Sequence, residues 1–127
     1  MQQSSNAGAR GADTDAAARA EPRVAHELHG DAAVVTVAGE LTEAARRPLV
    51  RVLTDLLLQV PTLQRVDLQL ADVTFMNSAG TAVLVQLQKM VKPRGVQLVL
   101  VGPPPGVVRP LQLTGLWHRF QVQDCGT

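Results

Sequence analysis

Between Arg23 and Gln123 the apolar residues change period repeatedly, and proline or glycine marks most of the changes. A period of two belongs to a strand and one near 3.6 to a helix, so this alternation restricts the fold more tightly than any single motif. Arg23–Leu28 and Ala32–Ala38 flank a Gly30-Asp31 turn and read as an antiparallel hairpin. The second of these is apolar almost throughout, with Val34, Val35 and Val37, which predicts burial on both faces. Gly39-Glu40-Leu41-Thr42 breaks the pattern, and Thr42 is placed to cap a helix. From Glu43 onward Leu49, Leu53, Leu56, Leu57 and Val60 recur at helical spacing until Pro61.

Leu63–Leu70 alternates Val66, Leu68 and Leu70 with Arg65, Asp67 and Gln69, the pattern of a strand with one drier face. A loop over Ala71–Asn77 leads into a helix over Ser78–Val91, stopped by Pro93 and Gly95. Val96–Val101 is a short apolar strand. A helix through Val107–Leu113, kinked or shortened by Pro110, ends at Gly115, and Trp117–Gln123 forms the last strand. The predicted order is β-β-α-β-α-β-α-β. It describes an α/β fold with a mixed sheet that opens on a hairpin, has parallel neighbours thereafter and carries helices packed on it. Residues 1–22, small and polar with hardly a large apolar side chain, read as a disordered tail. Residues 23–127 read as one domain.

Several function classes are disfavoured. A net charge of +1 with no Lys/Arg block argues against an electrostatic nucleic-acid binder. Only Phe75, Trp117 and Phe120 are aromatic, too few for a base-stacking platform. The N-terminal segment lacks the apolar run of a signal peptide, and no stretch approaches the ~20 apolar residues of a membrane span. A soluble cytoplasmic protein is expected, with the lone Cys125 unable to form an internal disulfide or a cysteine metal cluster. His26 and His29 have no ligands at metal spacing, so neither metal nor cofactor is expected. The Gly102–Gly106 stretch lacks a P-loop ending. No nucleophile elbow or Ser-x-x-Lys pair surrounds Ser78, so an enzyme is not expected.

Asp72–Gly80 is the informative segment. A strand ends, two large apolar residues come next, and Asn77-Ser78 stands where a helix begins. A hydroxyl there lies beside unpaired backbone N–H groups and the positive end of the helix dipole, where a phosphate finds donors already in position. Asn and Ser are also preferred N-cap residues, so the pair has a second explanation as a simple helix start.

Three segments carry a family resemblance. "LADVTFMNSAGTAVLV" resembles the signature of the STAS-domain anti-sigma factor antagonists, in which strand and loop lead into an Asp-Ser-Ser-Gly-type turn. "VTVAGELT" resembles that family's strand motif ending in Gly-Glu-Leu-Asp. "PPGVVRPLQLTGLWHRF" resembles its later helix and Gly-Leu-aromatic ending. The resemblance implies a protein that binds an anti-sigma factor, often a serine kinase of the histidine-kinase-like ATPase fold, and so frees a sigma factor. Phosphorylation, here at Ser78, would abolish binding, and a phosphoserine phosphatase would restore it. The implied partner surface comprises Thr42, Met76, Asn77, Ser78, Ala79, Gly80, Thr81, Val83 and Leu84. The chain departs from the pattern in three places: Asn77 and Thr42 replace acidic residues, and Ala79 replaces a second serine. A constitutive STAS adaptor that binds the ATPase of a lipid-transport ABC complex is the alternative, and it would need no phosphorylation.

Overall fold

The computed structural model describes residues 21–123. In chain order the elements are β1 (Arg23–His29), β2 (Ala32–Leu41), α1 (Arg46–Gln59), β3 (Arg65–Met76), α2 (Ser78–Val91), β4 (Gln97–Val101), α3 (Pro105–Leu113) and β5 (Gln121–Gln123). Short 3₁₀ turns precede α1 and β5 and follow α2. The five strands form one sheet in sequence order, β1-β2-β3-β4-β5. The β1–β2 pair is antiparallel and the remaining three pairs are parallel. The expected hairpin and mixed sheet are both present.

Sequential strand order has a geometric consequence. Right-handed crossovers that all step in the same direction place every connecting helix on the same face of the sheet. The core bears this out. Ala33, Val35 and Val37 of β2, Val66, Leu68 and Leu70 of β3, and Leu98 and Leu100 of β4 form one cluster with α1, α2 and α3. From the helices come Leu49, Leu53, Leu56 and Leu57, then Val83, Leu84, Leu87 and Val91, then Val107 and Leu111. Arg94 ties two layers together by donating to the Leu57 carbonyl at 3.1 Å, which serves one of the unpaired carbonyls at the end of α1.

On the opposite face Ala32, Val34, Thr36 and Ala38 are half-buried, so β2 is not buried on both faces as its composition predicts. There Arg65 donates to Asp67 at 2.6 Å and to Gln123 at 2.9 Å, reaching from β3 across β4 to β5. Val99 and Val101 project between these strands on that side and are nearly buried.

The largest departure from the sequence reading is β3. It does not stop at Leu70; it continues through Ala71–Met76, the segment expected to be a loop, and pairs with β2 as far as Leu41↔Met76. The β2–β3 register shifts twice, between Thr36 and Ala38 and between Gly39 and Glu40, and each shift gives β3 one extra residue. Each extra residue resets which side faces the core. The inward positions therefore run Val66, Leu68, Leu70, Val73, Met76, and a strict period of two is lost after Leu70. Gly39, at φ 116°, lies at the second shift in a conformation that L side chains rarely adopt.

The other boundaries move less. A 3₁₀ turn over Glu43–Ala45 precedes α1, and Trp117 belongs to a second such turn, so β5 is confined to Gln121–Gln123. Pro110 lies inside the nine-residue α3, and the Thr114 hydroxyl donates to the Pro110 and Leu111 carbonyls at its end. Pro22, the last residue of the expected tail, is buried beside Gly39. The rest of that tail, and Cys125, lie outside the described residues.

Leu53 is fully buried whereas Leu58, just over one turn later on α1, is 71% exposed. Leu53→Ala should lose about 2–5 kcal/mol of unfolding free energy in urea titration, and Leu58→Ala within about 0.5 kcal/mol of none.

Candidate functional site

The end of β2 and the start of α2 form one joint. Leu41 pairs with Met76, and the Asn77 N–H then donates to the Leu41 carbonyl at 3.4 Å. Asn77 is extended (φ −109°, ψ −175°) and caps α2, with its Oδ1 accepting from the Gly80 N–H at 2.9 Å. Thr81 bonds back to the Asn77 carbonyl through its N–H at 3.1 Å and its hydroxyl at 3.4 Å. Gly80 packs directly against the end of β2: a Cβ there would stand 1.9 Å from the Leu41 carbonyl oxygen and 2.9 Å from Met76 Cγ. Only a residue without a side chain fits. Thr42, the next residue after Leu41, is fully buried and accepts the Ala44 N–H on its hydroxyl at 3.3 Å. It does cap, as expected, although the turn it caps is 3₁₀ and α1 follows from Arg46.

Ser78 is the first residue of α2 and is exposed. Its hydroxyl makes no hydrogen bond to any described residue. It is therefore not paired with a base in the manner of an activated nucleophile, and it is open to solvent at the positive end of a 14-residue helix. Asn77 and Ala79 flank it, both half-buried.

The other residues assigned to a partner surface separate by burial. Val83 and Leu84 are fully buried, as is Thr42, and Gly80 is covered by β2. These four hold the joint and the core and do not face a partner, which corrects the expectation for them. Helical geometry explains the error for α2: its apolar residues wrap more than one face, and sequence alone does not say which face meets the sheet. Met76 and Thr81 are only 7% exposed but reach the wall of a surface groove.

Two grooves flank α2. One, between α1 and α2, holds about 960 Å³ and is lined by Arg46, Arg47, Arg51, Glu43 and Asp55, with Asn77 and Ala79 at its α2 side. The other, on the α3 side, holds about 900 Å³ and is largely apolar, with Met76, Ala82, Val85, Leu113 and Leu116 in its walls. Asn77 and Gln86 border both grooves, while Ser78 borders only the apolar one. Leu113 is 79% exposed. Sequence reasoning did not assign Leu113 or Leu116 to any surface. Those two come from a distant segment, and nothing local connects them to Ser78. Among the described residues no group of three His, Cys, Asp or Glu side chains is placed to hold a metal, and no helix is long and apolar enough to cross a membrane.

The family model of the STAS domain matches residues 23–124. The chain belongs to the STAS-domain family. The solved structures similar to this STAS domain include an anti-sigma factor antagonist from Mycobacterium paratuberculosis, 23% identical, with a TM-score of 0.67 over 84% of this chain and 86% of that one. SpoIIAA, an anti-sigma factor antagonist in its unphosphorylated form, is 18% identical with a TM-score of 0.68, covering 81% and 88%. RsbS of Moorella thermoacetica, in a variant with glutamate in place of a serine, is 20% identical with a TM-score of 0.62, covering 83% and 88%. A search of curated proteins finds no match. These similarities establish the fold of the STAS domain: a five-stranded mixed sheet with three helices.

Two substitutions test the joint. Gly80→Ala must displace α2 from β2, and it is expected to lower stability by about 1–3 kcal/mol or more in denaturant titration. Asn77→Ala is expected to cost about 1 kcal/mol through loss of the cap, and Asn77→Asp should retain that stability because a carboxylate also caps and complements the dipole.

Proposed function

We propose that this STAS domain is an anti-sigma factor antagonist that docks on an anti-sigma factor kinase through the first turn of α2 and is released by phosphorylation of Ser78. The observation that carries this reading is the exposed, unpartnered Ser78 hydroxyl at the start of a helix whose position is set by the Gly80–Leu41 contact. A kinase can reach that oxygen without unfolding anything. Once added, the phosphate brings nearly two negative charges to a surface whose immediate neighbours, Asn77, Ala79 and Ala82, are uncharged.

Because the N–H of Gly80 is already taken by Asn77, the phosphate cannot be fully absorbed by the helix end. Part of its charge remains directed at solvent or at the partner. Desolvating that charge in an interface costs far more than desolvating a hydroxyl. The unphosphorylated form is thus the binding form. Along the apolar groove that Ser78 borders no carboxylate is present and Asn77 is neutral, so one added phosphate makes a large relative change in charge there. Thr42 contributes through the joint and not through contact, being buried. The same surface would suit a constitutive adaptor bound to an ATPase, and the neutral residue at Asn77 favours that second reading if Ser78 proves to be no phosphoacceptor.

The test is a titration with the purified histidine-kinase-like anti-sigma factors of the same genome, by calorimetry and by intact mass with ATP. One of them should bind the wild-type chain and add a single phosphate, absent in Ser78→Ala. Ser78→Glu should weaken binding about 100-fold, the order expected for several kcal/mol of unfavourable charge in an interface. A phosphate still added to Ser78→Ala would refute the assignment of the acceptor.

A further inference from the structure

The two grooves beside α2 differ in chemistry, and the switch serine borders only one of them. Along the apolar groove the α2 wall is Ser78, Thr81, Ala82, Val85, Gln86 and Lys89. These positions are spaced three or four apart, so they form one continuous stripe from the first turn of the helix to the last. From Ser78 to Lys89 the stripe is about 16 Å long, at about 1.5 Å per residue. The facing wall is the end of α3 and the turn after it, where Leu113 stands almost fully in solvent. Of the twelve residues lining the groove only Lys89 is charged, and none is acidic. Lys89 is exposed and has no ion-pair partner among the described residues.

An exposed apolar trough of this length, with a cation at one end and a phosphorylatable hydroxyl at the other, has the dimensions of three helical turns. Helix-in-groove recognition uses apolar anchors at i, i+3 or i+4, and i+7, which span about 10 Å and fit within this length. We infer that the groove between α2 and α3 receives an amphipathic helix of the anti-sigma factor, with its apolar face between Val85 and Leu113 and an acidic residue of that helix meeting Lys89. The inference rests on the antagonist reading above and deepens it by naming the partner element and its orientation. It also makes the effect of phosphorylation local. A phosphate on Ser78 sits at the mouth of the groove, where it opposes the apolar helix directly and needs no change of conformation in this chain. The α1-side groove, where arginines and carboxylates alternate, offers no such apolar track.

The inference is tested with whichever anti-sigma factor binds the wild-type chain, by calorimetry and by methyl NMR of the complex. Leu113→Asp, at a site too exposed to disturb folding, should weaken binding about tenfold or more, in the range of a truncated anchor residue. Lys89→Glu should weaken it about tenfold and Lys89→Arg should restore it, while Leu58→Asp, on α1 and outside the apolar groove, should leave it within about twofold. The methyl groups of Val85, Leu113 and Leu116 should shift on binding. If Ser78→Glu abolishes binding while Leu113→Asp and Lys89→Glu leave it unchanged, the groove inference is wrong and the antagonist reading stands. If no anti-sigma factor binds the wild-type chain, both fall together. A concentration-dependent dimer that Leu113→Asp dissolves would assign the groove to a second copy of the chain and overturn the inference.

Discussion

The approach of Gly80 to the Leu41 carbonyl is the contact on which the site depends. It brings a helix backbone against the end of a strand with no side chain between them, so the start of α2 has very little freedom to shift. The hydrogen bond from Asn77 to the same carbonyl and the Asn77 cap on Gly80 reinforce it. Two sequence segments nearly forty residues apart, Gly39–Thr42 and Asn77–Gly80, are thereby one structural unit. The conformation at Gly39 and the register shifts beside it deliver Leu41 to that place.

Order in the sheet then decides what surrounds the site. Because the strands follow one another in sequence order, the helices do the same on their side of the sheet, and α2 lies between α1 and α3. A helix in that position has a groove on each flank, and the neighbouring helices set the chemistry of each. The α1 flank brings Arg46, Arg47, Arg51, Glu43 and Asp55. The α3 flank brings Leu113 and Leu116. Ser78 stands at the mouth of the apolar groove, where a phosphate would oppose the proposed docking directly. An apolar interface tolerates an unpaired charge poorly, whereas a surface already rich in ions can redistribute it.

What the fold supplies at this site is positioning. Among the described residues none forms a hydrogen bond with the Ser78 hydroxyl. The fold supplies a rigid helix start held in the open, next to a trough of hydrophobic side chains. On the proposed reading the trough would supply the binding energy and Ser78, at its mouth, the control. The fully buried Val83 and Leu84 serve both by fixing the helix to the sheet, so that the stripe from Ser78 to Lys89 faces outward.

Much of this was written in local sequence. Helical spacing from Leu49 to Leu57, the Ser78–Val91 helix with its Asn77 cap, and the stops at Pro61 and Gly95 depend on neighbours along the chain, and these elements matched the structure closely. The α/β order with an initial hairpin followed from the same local rules. Three features did not. The strand through Ala71–Met76 was hidden because two bulges destroy the period of two that identifies a strand, and bulges exist only in relation to the partner strand. The burial of Thr42, Val83 and Leu84 depended on which face of each element met the core. The groove beside Ser78 needed Leu113 to be brought from a separate helix. Sequence by itself determined the elements and the serine at the head of a helix, because propensity, capping and periodicity act within a few residues. Tertiary structure alone decided which side chains share a surface with that serine, because contacts between distant segments are made by the packing of helices on a sheet and leave no local trace.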